Sequence, residues 1–317
     1  MAVVGIDVAK AKLAVVLLGD EGKPRHKSCP NTPAGHTELV QWLRRHAGDG
    51  LRVGVEATGG YQDAVALALH DAGHQVSVIN PAAIAAYGQS QLRRAKTDPT
   101  DAALIADFVR TQQPSRWIPA PPETRQLQAL VRRLDALLEM QTQETHRLEL
   151  AAAIVRPSID ASLAHLAHAI ADIKRQIARH IDQFPTLRAQ RDLILTIPGI
   201  GERTAALVLG EILDVARFTS ARQLAAYAGL VPHVRQSGTS VRGRGALTKI
   251  GAPRLRKALY WPAITASKHN PPLRGFAARL RAAGKPKMVI VAAIMRKLLH
   301  QIYGVLRSGR RFDPTIA

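Results

Sequence analysis

This 317-residue protein has little cysteine, no long uninterrupted apolar run at its start and no acidic residue over much of its C-terminal third, and each of these features excludes a class of protein. It contains one cysteine, Cys29, which excludes an internal disulfide framework and a cysteine-ligated zinc centre. Its first apolar run, residues 3–18, is interrupted by Asp7, Lys10 and Lys12, unlike a signal peptide or a membrane-spanning helix. We therefore expect a cytoplasmic protein that binds no membrane, in which Cys29 is structural.

The third of these features concerns acidic residues. No Asp or Glu occurs from Val215 to Phe312, although this stretch contains 20 of the 44 lysines and arginines. The other 24 cations equal the chain's 24 acidic residues, so the net charge of +20 arises in the C-terminal third. A region of one charge sign repels itself unless a polyanion neutralises it. The distribution predicts nucleic-acid binding, with an anionic membrane surface as the weaker alternative.

The apolar pattern divides the chain into three parts. In residues 1–118, short strand-type runs alternate with helical ones, which predicts an α/β domain around a mixed sheet. In residues 119–187, leucines and isoleucines recur at helical spacing, which predicts two long helices in an intrachain hairpin or a self-associating coiled coil. Residues 188–317 are expected to be mainly helical, with Gly and Pro interruptions, and contain the excess charge.

Four carboxylates stand at unusual positions in the first part. Asp7 interrupts an apolar strand and Glu56 ends another, where an unpaired buried charge would be costly. Asp98 and Asp101 lie three apart at a helix start; Asp98 alone is explained as an N-cap before Pro99. Together the four suit a pair of Mg²⁺ ions, for which Mn²⁺ could substitute, acting on a phosphodiester.

A competing interpretation concerns the segment GIDVAKAKLAVVLL. It is also similar to the first phosphate-binding hairpin of sugar kinases and actin-like ATPases. No later glycine-rich nucleotide loop accompanies it, and a sugar kinase has no use for the basic C-terminal third. We therefore favour phosphodiester chemistry.

Two segments of the third part suggest contact with nucleic acid. The stretch LILTIPGIGERTAALVLGEI predicts a helix-hairpin-helix in which Gly199 and Gly201 let backbone N–H groups approach a phosphate; the alternative is a plain helical hairpin. Further on, basic side chains flank apolar ones, as in a half-buried helix lying along a polyanion. These basic residues are Lys249, Arg254, Arg256 and Lys257.

The stretch RQSGTSVRGRG, residues 235–245, combines two serines with three glycines and three arginines. Either Ser237 or Ser240 could attack a phosphodiester, with the arginines stabilising the developing charge. The same composition also suits a phosphate-binding loop without a nucleophile. The arginines concerned are Arg235, Arg242 and Arg244.

Taken in order, these motifs resemble the DEDD-type transposases of the insertion-sequence-110 type, related to the Piv invertases. The resemblance rests on GIDVAK, VEATGGY, KTDPTDA, IPGIG, GLVPHVRQSGTSVRGRG and LRKALY, and extends over about residues 3–305. It implies a RuvC-like (RNase H-like) α/β N-terminal domain, an α-helical coiled-coil connector, and a mainly α C-terminal transposase domain with a helix-hairpin-helix and a nucleophilic serine.

The resemblance also implies roles for individual residues. Ser237, in Gln236-Ser237-Gly238, becomes the nucleophile, with Ser240 as the alternative. The metal-binding residues are Asp7, Glu56, Asp98 and Asp101, supplied either by the protomer that contains the serine or by another protomer. The protomers form a dimer that assembles to a tetramer. A structured bridge RNA pairs with donor and target DNA, so the protein need not encode the target sequence.

The sequence departs from the family pattern after residues 235–245, where Lys249-Ile250-Gly251-Ala252 replaces a common Lys-Arg-Gly-Asn run. This departure concerns the DNA contacts expected there. The expected function is site-specific DNA recombination that moves a mobile element. The protein is expected to associate with the nucleoid. The alternatives are a RuvC-type metal-dependent nuclease without a covalent intermediate and a non-enzymatic nucleic-acid binder.

Overall fold

A computed structural model describes residues 2–19, 23–92, 98–233, 236–237, 241–242, 246–247 and 250–315, with backbone alone at 98–99, 233, 236–237, 241–242 and 246. The chain forms two compact units, residues 1–119 and 120–317.

The first unit is built around a five-stranded mixed sheet of order β3-β2-β1-β4-β5. Strand β1 pairs antiparallel with β2 and parallel with β4, β2 pairs antiparallel with β3, and β4 parallel with β5. This confirms the predicted α/β class. The elements are β1 (Val3–Val8), β2 (Lys12–Leu18), β3 (Arg25–Pro30), α1 (Pro33–Ala47), β4 (Arg52–Glu56), α2 (Asp63–Asp71), β5 (Gln75–Ile79), α3 (Pro81–Ser90) and α4 (Asp98–Gln112).

The two faces of this sheet pack against different helices. Successive side chains of a strand point to opposite faces. Val4, Ile6 and Val8 of β1 join a core with side chains of α1 and α2. Val3 instead packs with side chains of α4. Residues 3, 5 and 7 therefore lie on the face that α4 covers.

The second unit is mainly helical. Four two-residue strands, which pair as β6–β9 and β7–β8, interrupt the helices. The elements are α5 (Pro122–Glu149), α6 (Arg156–Gln183), α7 (Pro185–Leu195), α8 (Glu202–Ile212), α9 (Ala221–Tyr227), β6 (Pro232–His233), β7 (Gln236–Ser237), β8 (Val241–Arg242), β9 (Ala246–Leu247), α10 (Pro253–Ala258), α11 (Tyr260–His269), α12 (Pro271–Ala282) and α13 (Lys287–Ser308).

Helices α5 and α6, of 28 residues each, form a hairpin. Pro157 stands in the first turn of α6, where its missing N–H costs no helical hydrogen bond. The hairpin seam joins the same hydrophobic core as helices α7 to α13. Association of this hairpin with a second copy stays a prediction.

Helix α13 is, within the described ranges, the one helix long and apolar enough to cross a membrane. It buries seven residues in the core of the second unit, which accounts for its composition. These are Ile290, Ile294, Met295, Leu298, Leu299, Ile302 and Val305.

Candidate active site

Two of the predicted carboxylates lie side by side on the sheet of the first unit. Strands β1 and β4 run parallel with Ile6 opposite Val55, so the next residues along are Asp7 and Glu56. Val53 and Val55 face α1 and α2. Strand alternation places Glu56 on the opposite face, together with Asp7. Both carboxylates are partly buried and have polar partners.

Helix α4 brings the other two carboxylates to that face. A Cβ on Gly5 would lie 2.1 Å from the Ala102 carbonyl oxygen and 2.3 Å from the Ala106 nitrogen, so the helix backbone touches the strand. A Cβ on Gly54 would likewise lie 2.4 Å from the Val109 side chain. Two glycines thus let α4 lie close against the sheet, and its first turn contains Asp98 and Asp101.

Ala102, which follows Asp101, also packs with Ala14 of β2. Ala14 is the cross-strand partner of Asp7. The start of α4 is therefore close to the Asp7 end of β1. The packing brings three of the predicted metal-binding positions to one region of the sheet, and the backbone of Asp98 lies one turn before Ala102.

The donor set suits a hard divalent cation, because carboxylate oxygens are the ligands that Mg²⁺ prefers. Near Glu56, the Thr58 hydroxyl is buried and has no hydrogen-bond partner among the described atoms. The described side chains contain no group of three His, Cys, Asp or Glu residues placed to hold a metal. The Asp98 carboxylate lies outside the described side chains. A metal site with three or more carboxylate ligands would therefore have to include it.

Asn31, which the sequence analysis did not identify, connects the two loops that follow Asp7 and Glu56. Its Nδ2 donates to the carbonyl oxygens of Ala9 at 3.0 Å and Tyr61 at 3.1 Å. Its Oδ1 lies 2.8 Å from Nε2 of His36. Burial lowers the pKa of His36, which favours the neutral ring. Neutral His36 can donate through Nε2–H and so fix the orientation of the amide.

Ser237 lies in the two-residue strand β7 of the second unit, which pairs antiparallel with β8. Its backbone pairs with Val241, and Gln236 pairs with Arg242. A second pair, Pro232 with Leu247, closes the base of the segment. We call residues 233–246 the serine arm. The Ser237 and Arg242 side chains, and the whole of Arg235, Gly238, Ser240, Arg244 and Lys249, lie outside the described residues.

The two glycines of the predicted helix-hairpin-helix have different surroundings. Helices α7 and α8 are present, joined by residues 196–201. Gly199 has φ +104°, and a Cβ there would lie 2.8 Å from Ala266 of α11. At Gly201 no described heavy atom lies within 4 Å of the Cβ position. Packing therefore accounts for Gly199, whereas Gly201 leaves room for a ligand.

Helix α10 has one buried side and one basic side. Leu255 is fully buried, and Arg254 and Lys257 are exposed. Arg256 donates to the carbonyl of Ala228 at 3.1 Å. Lys257 pairs with Glu139 at 2.8 Å, with both side chains largely exposed. Helix α10 is therefore half-buried, and its contact with a nucleic acid stays a prediction.

Comparisons with known proteins identify the family of the chain. A family model of DEDD-type IS110 transposases matches residues 4–156. A second model, described as the transposase IS116/IS110/IS902 family, matches residues 191–278. A pilin gene-inverting protein of Moraxella lacunata is 34% identical over 316 residues, which cover 99% of this chain and 98% of that protein.

Shorter matches include the IS110 43.6 kDa protein of Streptomyces coelicolor, 30% identical over 160 residues, which cover 50% of this chain and 38% of that protein. The Thermus thermophilus RuvC structure aligns at 19% identity with a TM-score of 0.29, covering 37% of this chain and 99% of that chain.

The matches of both units define an enzyme that acts on DNA as a transposase or recombinase. The chain belongs to the IS110 family of transposases. The pilin gene-inverting proteins of Moraxella lacunata and Moraxella bovis are similar to it over 98% of their length.

Proposed function

We propose that the chain is a site-specific DNA recombinase with Ser237 as its nucleophile. The Ser237 Oγ loses its proton and attacks the phosphorus of a scissile phosphodiester, and the 3′ oxygen leaves as a hydroxyl. The product is a 5′-phosphoserine linkage. A 3′ hydroxyl of another strand then attacks that phosphorus and releases the serine. The number of phosphodiester bonds is conserved, so the exchange needs no external energy source.

The carboxylates Asp7, Glu56, Asp98 and Asp101 would hold a divalent metal, for which Mg²⁺ is the proposed ion. When bound, such a metal polarises phosphate oxygens and favours deprotonation of an attacking hydroxyl. The observation that carries this proposal is the contact of α4 with Gly5, which brings the start of that helix to the face of Asp7 and Glu56. The mixed sheet supports a RuvC-like assignment for the first unit.

The proposed partners are donor and target DNA, a structured guide RNA, and further copies of the chain in a dimer that assembles to a tetramer. The anion-free stretch 215–312 supports a polyanionic partner. The relative from Moraxella is named for gene inversion, which supports site-specific recombination here too. Such a protein would act on DNA in the cytoplasm, at the nucleoid.

Covalent trapping tests this proposal. Purified protein, labelled donor and target DNA, the flanking-region RNA and Mg²⁺ are incubated and separated on a denaturing gel. We expect a protein–DNA adduct that Ser237→Ala abolishes and the matched control Ser240→Ala leaves in place. Cleavage without an adduct that persists in Ser237→Ala would instead indicate a RuvC-type nuclease.

An isosteric carboxylate variant separates an enzyme from a binder. Asp7→Asn should abolish the adduct while leaving DNA retention on a filter within about twofold, since it removes one charge without changing the shape of the strand. If wild-type protein retains DNA and RNA but yields neither adduct nor cut strand with Mg²⁺ or Mn²⁺, the enzyme proposal is wrong.

A further inference from the structure

A groove of about 1080 Å³ crosses the second unit beside α10, α11 and the start of α13. Three large apolar side chains of this groove are exposed: Trp261 by 72%, Met288 by 62% and Val289 by 48%. Its volume reaches the upper end of the range of pockets that bind small molecules, about 300–1,000 Å³. Contiguous exposed apolar surface marks an interaction site.

Cations outnumber anions in the groove. Asp135 is the one carboxylate among its described lining residues, and it pairs with Arg203 at 3.5 Å. Arg296 donates to the carbonyl of Leu230 at 3.4 Å, which orients its guanidinium and leaves further N–H donors for an anion. The occupant should therefore be negatively charged. The basic lining residues are Arg203, Arg254, Arg256, Lys257 and Arg296.

Trp261 offers a flat surface among these charges. Its indole meets the ring of Tyr260 at a centroid distance of 5.3 Å and an interplanar angle of 81°. Tyr260 is partly buried against the core of the unit and so anchors the neighbouring indole. An exposed aromatic ring beside Arg and Lys side chains is the arrangement on which unpaired bases stack in single-stranded nucleic-acid sites.

The groove lies at the base of the serine arm. Pro232 and Leu247 both line it, and they are the paired residues of β6 and β9. A nucleotide bound there would lie next to both ends of the segment that contains Ser237.

We propose that this groove binds an unpaired nucleotide next to the scissile phosphate, with Trp261 stacked on its base and Arg254 and Arg256 contacting the adjoining phosphates. The proposal rests on the proposed role of Ser237. An intact duplex does not fit this role, because its base faces are covered by neighbouring bases. A second copy of this surface would bring more positive charge, since residues 215–312 contain no acidic residue.

Binding of labelled oligonucleotides to the full-length Ser237→Ala protein tests the proposal without strand cleavage. Single-stranded DNA, RNA of the same sequence and the DNA duplex are compared by fluorescence anisotropy. Stacking is worth about 1–3 kcal/mol per base, so Trp261→Ala should weaken single-strand binding by about 5- to 150-fold, and Trp261→Phe by much less. Duplex affinity should change by less than about twofold. The DNA and RNA arms show which strand supplies the nucleotide.

A spectroscopic readout reports the stacking directly. Trp42 and Trp117 are partly buried in the first unit, whereas Trp261 is exposed. Single-stranded oligonucleotide should therefore quench tryptophan emission of the Ser237→Ala protein, and this quenching should be lost in Ser237→Ala/Trp261→Phe. Ile118→Ala and Arg179→Ala remove an exposed apolar and an exposed basic side chain outside both the groove and the anion-free stretch, and they should leave binding unchanged.

Three results would overturn the proposal: equal loss of single-strand and duplex binding in Trp261→Ala, no loss of either, or a change of oligomeric state in light scattering with binding intact. The last would identify the groove as an interface between copies. Each of these results is independent of the covalent adduct, because the adduct is measured in the protein with Ser237 and binding in the protein without it.

Discussion

Gly5 and Ala102 are in direct contact: a Cβ on the strand residue would lie 2.1 Å from the carbonyl oxygen of the helix residue. Helix α4 can therefore occupy its place only because residue 5 is a glycine and has no side chain. Because the first turn of α4 contains Asp98 and Asp101, the proposed metal site also requires glycine at position 5.

Gly5→Ala should move α4 away from the sheet. The added methyl meets backbone atoms, which cannot rotate away as a side chain can, so we expect a loss of at least about 1–3 kcal/mol in the free energy of unfolding and loss of adduct formation. Gly275→Ala is the matched control: it lies in α12, and no described heavy atom is within 4 Å of its Cβ position. Urea unfolding and the trapping gel measure both effects. Wild-type stability in Gly5→Ala would contradict the contact.

Asn31→Asp should impair the reaction through geometry. Aspartate keeps the shape but loses the Nδ2 donors that hold the carbonyls of Ala9 and Tyr61. We expect the metal concentration for half-maximal adduct formation to rise on the order of tenfold, as for other groups that support metal ligands, with DNA affinity unchanged.

The same substitution at Asn80 provides the control for Asn31. The Asn80 side chain accepts a hydrogen bond from the Ala82 N–H at the start of α3, and aspartate serves there equally well. Equal metal requirements in Asn31→Asp and Asn80→Asp would show that the link between the two loops has no role in metal binding.

Gly199→Ala should mainly lower stability, whereas Gly201→Ala should mainly lower affinity for DNA. The first places a methyl 2.8 Å from Ala266 on a backbone with φ +104°, and we expect it to lower the free energy of unfolding by about 1–3 kcal/mol. The second meets open space but replaces the N-cap glycine of α8 by a poorer capping residue, so we expect a loss of only about 0.5–1 kcal/mol in the free energy of unfolding, together with a several-fold loss of affinity for DNA. Thermal unfolding and filter binding separate the two; unchanged DNA affinity in Gly201→Ala would remove that glycine from the nucleic-acid interface.

The stability of the first unit should fall in mild acid because of His74. This ring is fully buried, its Nδ1 accepts from the Leu51 N–H at 3.3 Å, and burial lowers its pKa. An unfolded histidine, with a pKa of about 6.5, binds a proton more readily than the folded one. The free energy of unfolding should therefore be retained above that pH and decrease as pH falls from there through the folded-state pKa.

Urea unfolding between pH 5 and 8 measures this dependence. In a Trp261→Phe background, the remaining tryptophans, Trp42 and Trp117, report on the first unit. His74→Asn keeps an acceptor for Leu51 and should flatten the dependence relative to the parent, whereas His26→Asn removes a histidine at an exposed position of β3. A dependence as steep in His74→Asn as in the parent would assign it to another group.

The sequence predicts this fold best where periodicity and burial agree. The apolar strands β1, β2, β4 and β5 and the long helices follow their patterns. Strand β3, RHKSCP, was not predicted because it is a polar edge strand with one fully buried side chain, Cys29. Helix α3 was not predicted either, although Asn80 as N-cap and Pro81 in the first turn are a recognisable start.

For the candidate site, the sequence indicates which carboxylates could bind a metal but not the packing that positions them. Carboxylates interrupting apolar strands are visible in the sequence because a buried charge needs a reason. The close approach of α4 at Gly5 depends on which glycine faces which helix, and this requires the topology. Asn31 and Trp261 have no sequence signal, since their neighbours come from distant parts of the chain.

The pairing of Pro232 with Leu247 and of His233 with Ala246 limits how far Ser237, the proposed nucleophile, can move. Ser237 is four residues beyond His233, and a fully extended chain spans at most about 3.6 Å per residue, so its Cα stays within about 14 Å of that anchor. The serine arm is thus too short to carry Ser237 far from the second unit. Under the proposed role of Ser237, the scissile phosphate would have to be delivered to the surface of the second unit.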